Sequence, residues 1–222
     1  MNPYTLEAAL RAAGAAVLAT DLVMSSQVEN AFCNIRPPGH HATRNQAMGF
    51  CIFNNVAIGV AHAMSQYDLT RVAIVDFDVH HGNGTEDIFR DDARVMLCST
   101  FQHPFYPYRG ADSGNEHIIN VPLAAYTGSK GFRDAVSLSV LPELEAFKPE
   151  MIFISAGFDA HREDDMASLA LVDADYSWIT RQVKTVAAKY AQKRIVSCLE
   201  GGYALHALGR SATAHIRELC DL

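Results

Sequence analysis

An apolar run that passes directly into alternating carboxylates and imidazoles constrains this chain most: Ile74-Val75-Asp76-Phe77-Asp78-Val79-His80-His81-Gly82-Asn83-Gly84. Side chains alternate across a strand, so Asp76, Asp78 and His80 share one face while Val75, Phe77 and Val79 pack on the other. A rigid sheet presents metal ligands in this way. Gly82 and Gly84 then permit a sharp turn.

Five further apolar runs read as strands, at Ala31–Ile35, Arg94–Cys98, His117–Val121, Met151–Ser155 and Arg194–Leu199, with Val72–Asp76 as the second of the six. Most are continuous rather than alternating, the mark of strands buried on both faces. Helical patterns lie between most of them, at Leu6–Met24, Asn54–Gln66, Lys130–Phe147, Asp173–Gln192 and Leu205–Cys220. This alternation predicts a single α/β domain over residues 1–222, with a mainly parallel sheet and helices on both faces.

Parallel sheets bind ligands beyond the C-terminal ends of their strands, and the polar residues of this sequence gather at such ends. The first strand leads to Arg36-Pro37-Pro38-Gly39-His40-His41, the second to Asp76–His80, the fifth to Ala156-Gly157-Phe158-Asp159 and the sixth to Glu200-Gly201-Gly202-Tyr203. Asp78, His80 and Asp159 offer two carboxylates and an imidazole, a three-ligand set that leaves positions open for water and substrate, as in a catalytic zinc site; Fe(II) suits the same donors. Metal-assisted hydrolysis follows from such a set. A histidine pair after a stiff Pro-Pro-Gly turn can divide proton acceptance and donation, and a tyrosine after Gly-Gly can hydrogen-bond a developing oxyanion.

Bulk properties narrow the function classes. The 222 residues are 49% hydrophobic and 19% charged with a net charge of −7, and no Lys/Arg run could track a nucleic-acid backbone. Five cysteines, an odd number without a CxxC pair, read as reduced thiols. Neither a membrane span nor a secretion signal is evident, so a cytoplasmic protein is expected. Cys51 reads as a small buried residue rather than a nucleophile, His81 as a packing or turn residue, and His103 and His161 as solvated loop histidines. The acidic loop Glu163-Asp164-Asp165 reads equally as a solvated turn and as an attractor of a cationic substrate.

Taken in order, Arg36-Pro37-Pro38-Gly39-His40-His41-Ala42, Gly49-Phe50-Cys51, Asp76 through Thr85, Ser155-Ala156-Gly157-Phe158-Asp159-Ala160 and Leu199-Glu200-Gly201-Gly202-Tyr203 resemble the histone deacetylase family, in its class II and bacterial branch. The resemblance implies a three-layer arginase/deacetylase-like fold. It implies hydrolysis of an N-acyl amide, with an acyl-lysine protein or peptide as substrate, or an acetylpolyamine as the alternative; a folded remnant that binds metal or a partner without turnover is the third reading. It assigns Asp78, His80 and Asp159 to Zn2+ (or Fe2+), and His41 to general base and acid. His40 is then oriented by Asp76, and Asn83 stands behind His41, where class I members have aspartate. Tyr203 polarises the acyl carbonyl. Phe50, with Gly49, and Tyr106 wall the acyl-lysine tunnel, and Gly202 leaves room beside them. A structural K+ is implied at Asp76, Asp78, His80, Ser99 and Thr100. Two strands of the family pattern precede this sequence, so the strand at Ala31–Ile35 is expected at an exposed sheet edge, through which copies could associate.

Overall fold

The computed structural model describes residues 2–222. Six strands, β1 (Asn30–Cys33), β2 (Val72–Asp76), β3 (Val95–Gln102), β4 (Ile118–Leu123), β5 (Met151–Ala156) and β6 (Ile195–Leu199), form one sheet in the order β1-β6-β5-β2-β3-β4. Every pairing is parallel. All six sequence-derived strands are present, most within one to three residues of their expected bounds, and β3 runs four residues further than expected. β1 is an edge, as the resemblance implies.

Continuous apolar strands need cover on both faces, and two cores supply it. Val72 and Ile74 of β2, with Met151 and Phe153 of β5, point into a core closed by α1 (Thr5–Met24), α2 (Asn55–Tyr67) and Phe89 of α3 (Asn83–Phe89). Ala73, Val75, Ile152 and Ile154 point the opposite way, toward α4 (Ser129–Ala135), a π-helical turn at Val136–Val140, α5 (Leu141–Phe147), α6 (Asp173–Tyr190) and α7 (Leu205–Leu219). Phe77 and Val79 continue into this second core beyond the end of β2, so the strand alternation persists through Asp78 and His80.

Two helical features escaped the sequence reading. The helix expected over Lys130–Phe147 is broken by the π turn, and α3 opens only three residues after His80, too short to show a periodic face. That helix matters because it fixes Asn83 at its first residue.

Candidate active site at the strand ends

The loops after β1, β2, β5 and β6 converge at one edge of the sheet. Asp78, His80 and Asp159 each place a ligand atom within 4.8 Å of the others, and all three residues are buried. His80 Nδ1 lies 3.0 Å from Asp78 Oδ1 and 3.3 Å from Asp159 Oδ2. Backbone amides aim the carboxylates: Gly201 N–H donates to Asp78 Oδ2 at 2.8 Å, and Val79 N–H donates to Asp159 Oδ1 at 3.0 Å. Asp159 Oδ2 is left buried with no hydrogen-bond partner, a costly state for a carboxylate oxygen. A divalent cation would satisfy it, and the mixed O/O/N donor set fits zinc or iron.

Electrostatics express the same need. Burial disfavours a charged His80 ring, yet the adjacent carboxylates of Asp159 and Asp78 raise its pKa to about 10. Burial and the neighbouring Asp78 charge push Asp159 up to about 6. Both shifts run in the direction that gathers positive charge among these three residues, which a cation would supply.

The histidine pair is held by two different acceptors. His40 Nδ1–H donates to Asp76 Oδ2 at 2.9 Å, and His41 Nδ1–H donates to Asn83 Oδ1 at 2.7 Å. Their rings lie 4.1 Å apart. Burial opposes charge on His40, but the Asp78 and Asp76 carboxylates outweigh it and lift the ring well above its ordinary pKa. His41 is driven the other way, down to about 3, first by burial and then by the His40 charge. With Nδ1–H committed to Asn83, a neutral His41 keeps its Nε2 lone pair free, the state a general base requires.

A cavity of about 400 Å³ opens above these groups, lined by Pro38, His40, His41, Gly49, Phe50, Asp78, His80, Phe105, Tyr106, Met166, Gly201 and Tyr203. Gly49 and Phe50 both adopt left-handed backbone (φ +54° and +64°), and the Phe50 ring is left 68% exposed at the mouth. A Cβ on Gly49 would stand 2.2 Å from His41 Cδ2, so this turn closes against the histidine. Tyr106 meets His41 edge-on at 5.2 Å between ring centroids, Phe105 stacks on His80 at 5.5 Å, and Tyr203 faces Phe50 at 6.2 Å. Burial and the Asp78 and Asp159 charges push the Tyr203 phenol upward, which keeps it a proton donor.

The glycine expected to leave room beside the tunnel walls does not line the cavity. Gly202 (φ +138°) turns toward Leu208, whose Cδ1 would lie 2.8 Å from an added Cβ, and Gly201 takes the wall position instead. His161, read as a solvated loop histidine, is buried beside Asp173 at 3.3 Å; Asp164, read equally as part of a solvated turn and of a cation attractor, is buried too, its Oδ2 accepting the amides of Tyr203 and Ala204 at 2.7 and 2.9 Å. A carboxylate two residues before the cavity-lining Met166 carries no sequence signal of that contact. Phe105 and Met166 were likewise missed, since nothing local separates them from ordinary loop apolars. His81, expected as a packing or turn residue, is buried and packs between elements, 3.1 Å from Asn120 Oδ1 of β4 and 2.9 Å from Glu86 Oε2 of α3. Cys51 is buried and its thiol is pushed strongly upward by burial, which removes nucleophilic character. All five cysteines are free.

Comparison with known proteins agrees with this architecture. Residues 1–219 match the family described as "Histone deacetylase domain". The chain is 41% identical to the type-2 histone deacetylase 2 of Dictyostelium discoideum over 98% of its own length and 14% of that protein's. It is 42% identical to a probable deacetylase of Archaeoglobus fulgidus (89% of this chain, 56% of the relative). The histone deacetylase-like amidohydrolase of Pseudomonas aeruginosa is 39% identical over 91% of this chain and 55% of the relative. The crystal structure of the HDA15 HD domain superposes with a TM-score of 0.93 at 37% identity, covering 99% of this chain and 63% of that one. The chain therefore spans about half, or much less, of the length of these three relatives. A family match across nearly the whole sequence, together with a solved relative that superposes at a TM-score of 0.93, establishes that the chain belongs to the histone deacetylase family.

Proposed function

We propose that this chain is a zinc-dependent amidohydrolase that removes acetyl or related acyl groups from lysine side chains. The observation that carries the reading is the meeting, in one largely apolar cavity, of three convergent ligand atoms, a histidine with a free Nε2 and a protonated tyrosine. Asp78, His80 and Asp159 would hold the zinc, or iron in its place, and the ion would supply Lewis acidity toward a water and an acyl oxygen.

The protein's own groups do the rest. His41 Nε2 accepts the proton of the attacking water and, once protonated, delivers it to the departing amine nitrogen. Asn83 holds the ring in the tautomer that makes this possible, and its neutral amide stabilises the imidazolium less than a carboxylate would. His40, tied to Asp76, keeps a positive ring 4.1 Å from His41 and opposes premature protonation of the base. Tyr203 donates its phenol proton as a hydrogen bond to the acyl oxygen as that oxygen gains charge. Phe50 and Tyr106 flank the apolar stem of a lysine chain while Gly49 and Gly201 give it clearance.

Ser99 supports a structural K+. Its Oγ is buried without a partner, and it pairs in register with Asp76. Among the described residues no helix is long and apolar enough to cross a membrane. The edge position of β1 supports association of copies through that strand; light scattering that shows only monomer would exclude it.

The test compares two substrates on the zinc-loaded chain, an acetyl-lysine peptide and an N-acetylpolyamine. Faster turnover of the peptide is expected. Preference for the polyamine would shift the assignment to acetylpolyamine hydrolysis, and no turnover of either despite stoichiometric zinc would favour the non-catalytic reading.

A further inference from the structure

Glu200 is fully buried, yet none of the roles assigned above uses it. Its side chain reaches across the strand ends. Oε2 accepts the backbone amides of Gly39 at 2.6 Å and His40 at 3.1 Å, and Oε1 accepts the Ser155 hydroxyl at 3.2 Å. Its own amide donates to Ala156 O at 3.0 Å. Burying a carboxyl is costly unless hydrogen bonds compensate, and here all of the compensation comes from residues that lead into the site.

The connectivity of those partners is the argument. Gly39 and His40 belong to the turn that carries the two histidines. Ser155 and Ala156 precede Gly157 and the ligand Asp159, and Glu200 itself stands three residues before Tyr203. One side chain therefore joins the histidine turn, the β5 ligand loop and the tyrosine loop. The histidine turn has little other freedom to take up slack: a Cβ on Gly39 would lie 2.4 Å from Asn55 N.

We infer that Glu200 is a positioning residue that sets the His40–His41 turn against the Asp159 and Tyr203 loops, through its paired hydrogen bonds to the Gly39 and His40 amides. Glutamine at this position keeps the pattern: its Oε1 accepts both amides, and its Nε2 donates to the Ser155 hydroxyl. Leucine fills similar space and leaves both amides unpaired.

Two measurements on zinc-loaded Glu200→Gln and Glu200→Leu test this. The kinetic one rests on the deacylase reading above; amide hydrogen exchange does not. Glu200→Leu is expected to speed exchange at Gly39 and His40 by at least about 10-fold while Val75 and Phe153 stay protected, and to lower kcat about 100-fold with KM and bound zinc little changed, the scale of an ångström-sized misplacement. Glu200→Gln should stay within about 3-fold of the parent in both. Unchanged exchange at Gly39 and His40 in Glu200→Leu would overturn the inference, as would equal loss of kcat in the two variants. If the parent chain turns nothing over, the exchange result alone decides it. If Glu200→Leu does not fold, Glu200→Asp, which withdraws the carboxyl by one methylene, is read by the same exchange criterion.

Discussion

The floor and the rim of the cavity are built on opposite plans. The floor, Asp78, His80 and Asp159, hangs just beyond central strands β2 and β5, buried beneath the cavity, with both carboxylates aimed by backbone amides. The rim, Phe50, Tyr106, Met166 and Tyr203, is carried by irregular loops and is apolar; Phe50 and Met166 are substantially exposed. The contrast separates two tasks. Chemistry needs groups fixed to fractions of an ångström, which strands provide, whereas selection of a substrate chain needs a surface that loops can vary.

Gly201 offers the hardest blow to the floor. A Cβ there would stand 2.0 Å from Asp159 Oδ2 and 2.7 Å from Asp78 Oδ2. Gly201→Ala should weaken zinc binding on the order of 100-fold, measured by competition with a chelator; full affinity would mean the floor yields more easily than its burial implies. Tyr203→Phe bridges the two regions, since its loop belongs to the rim and its hydroxyl to the chemistry. Turnover should fall about 10²- to 10³-fold with bound zinc unchanged, and undiminished turnover would take Tyr203 out of the reaction.

A proton count sharpens the comparison further. With its pKa near 10, His80 carries a proton at pH 7 in the metal-free chain, and a divalent ion must displace it. Zinc loading at pH 7 should release about one proton, and affinity should rise with pH between 7 and 10. Calorimetry in buffers of different ionisation enthalpy reads the number directly; zero release would place a neutral ring in the floor. The smallest effect belongs to the rim. Phe50 is 68% exposed, so Phe50→Ala removes only part of a contact and should raise KM about 3-fold with kcat retained.

The same division governs what the sequence reveals. The floor is legible because strand alternation fixes where Asp76, Asp78 and His80 point, and because buried parallel strands appear as unbroken apolar runs. Asp159 is found by the same logic at the end of β5. Rim and support are not legible, because loop geometry has no period. Gly201 and Gly202 are adjacent and identical in sequence, yet only the first lines the cavity. Asp164 sits in an acidic triplet that reads equally as a solvated turn and as an attractor of a cationic substrate, and only the fold brings it under the amides of Tyr203 and Ala204.

The central claim is that the floor holds a metal ion and that this ion drives amide hydrolysis. Zinc-reconstituted turnover of a fluorogenic acetyl-lysine peptide, measured beside an Asp159→Ala variant, tests it most directly. The account predicts turnover by the parent chain with about one zinc bound, and loss of both in the variant. Turnover that survives Asp159→Ala, or a parent chain that binds zinc at this site and hydrolyses nothing, would contradict it.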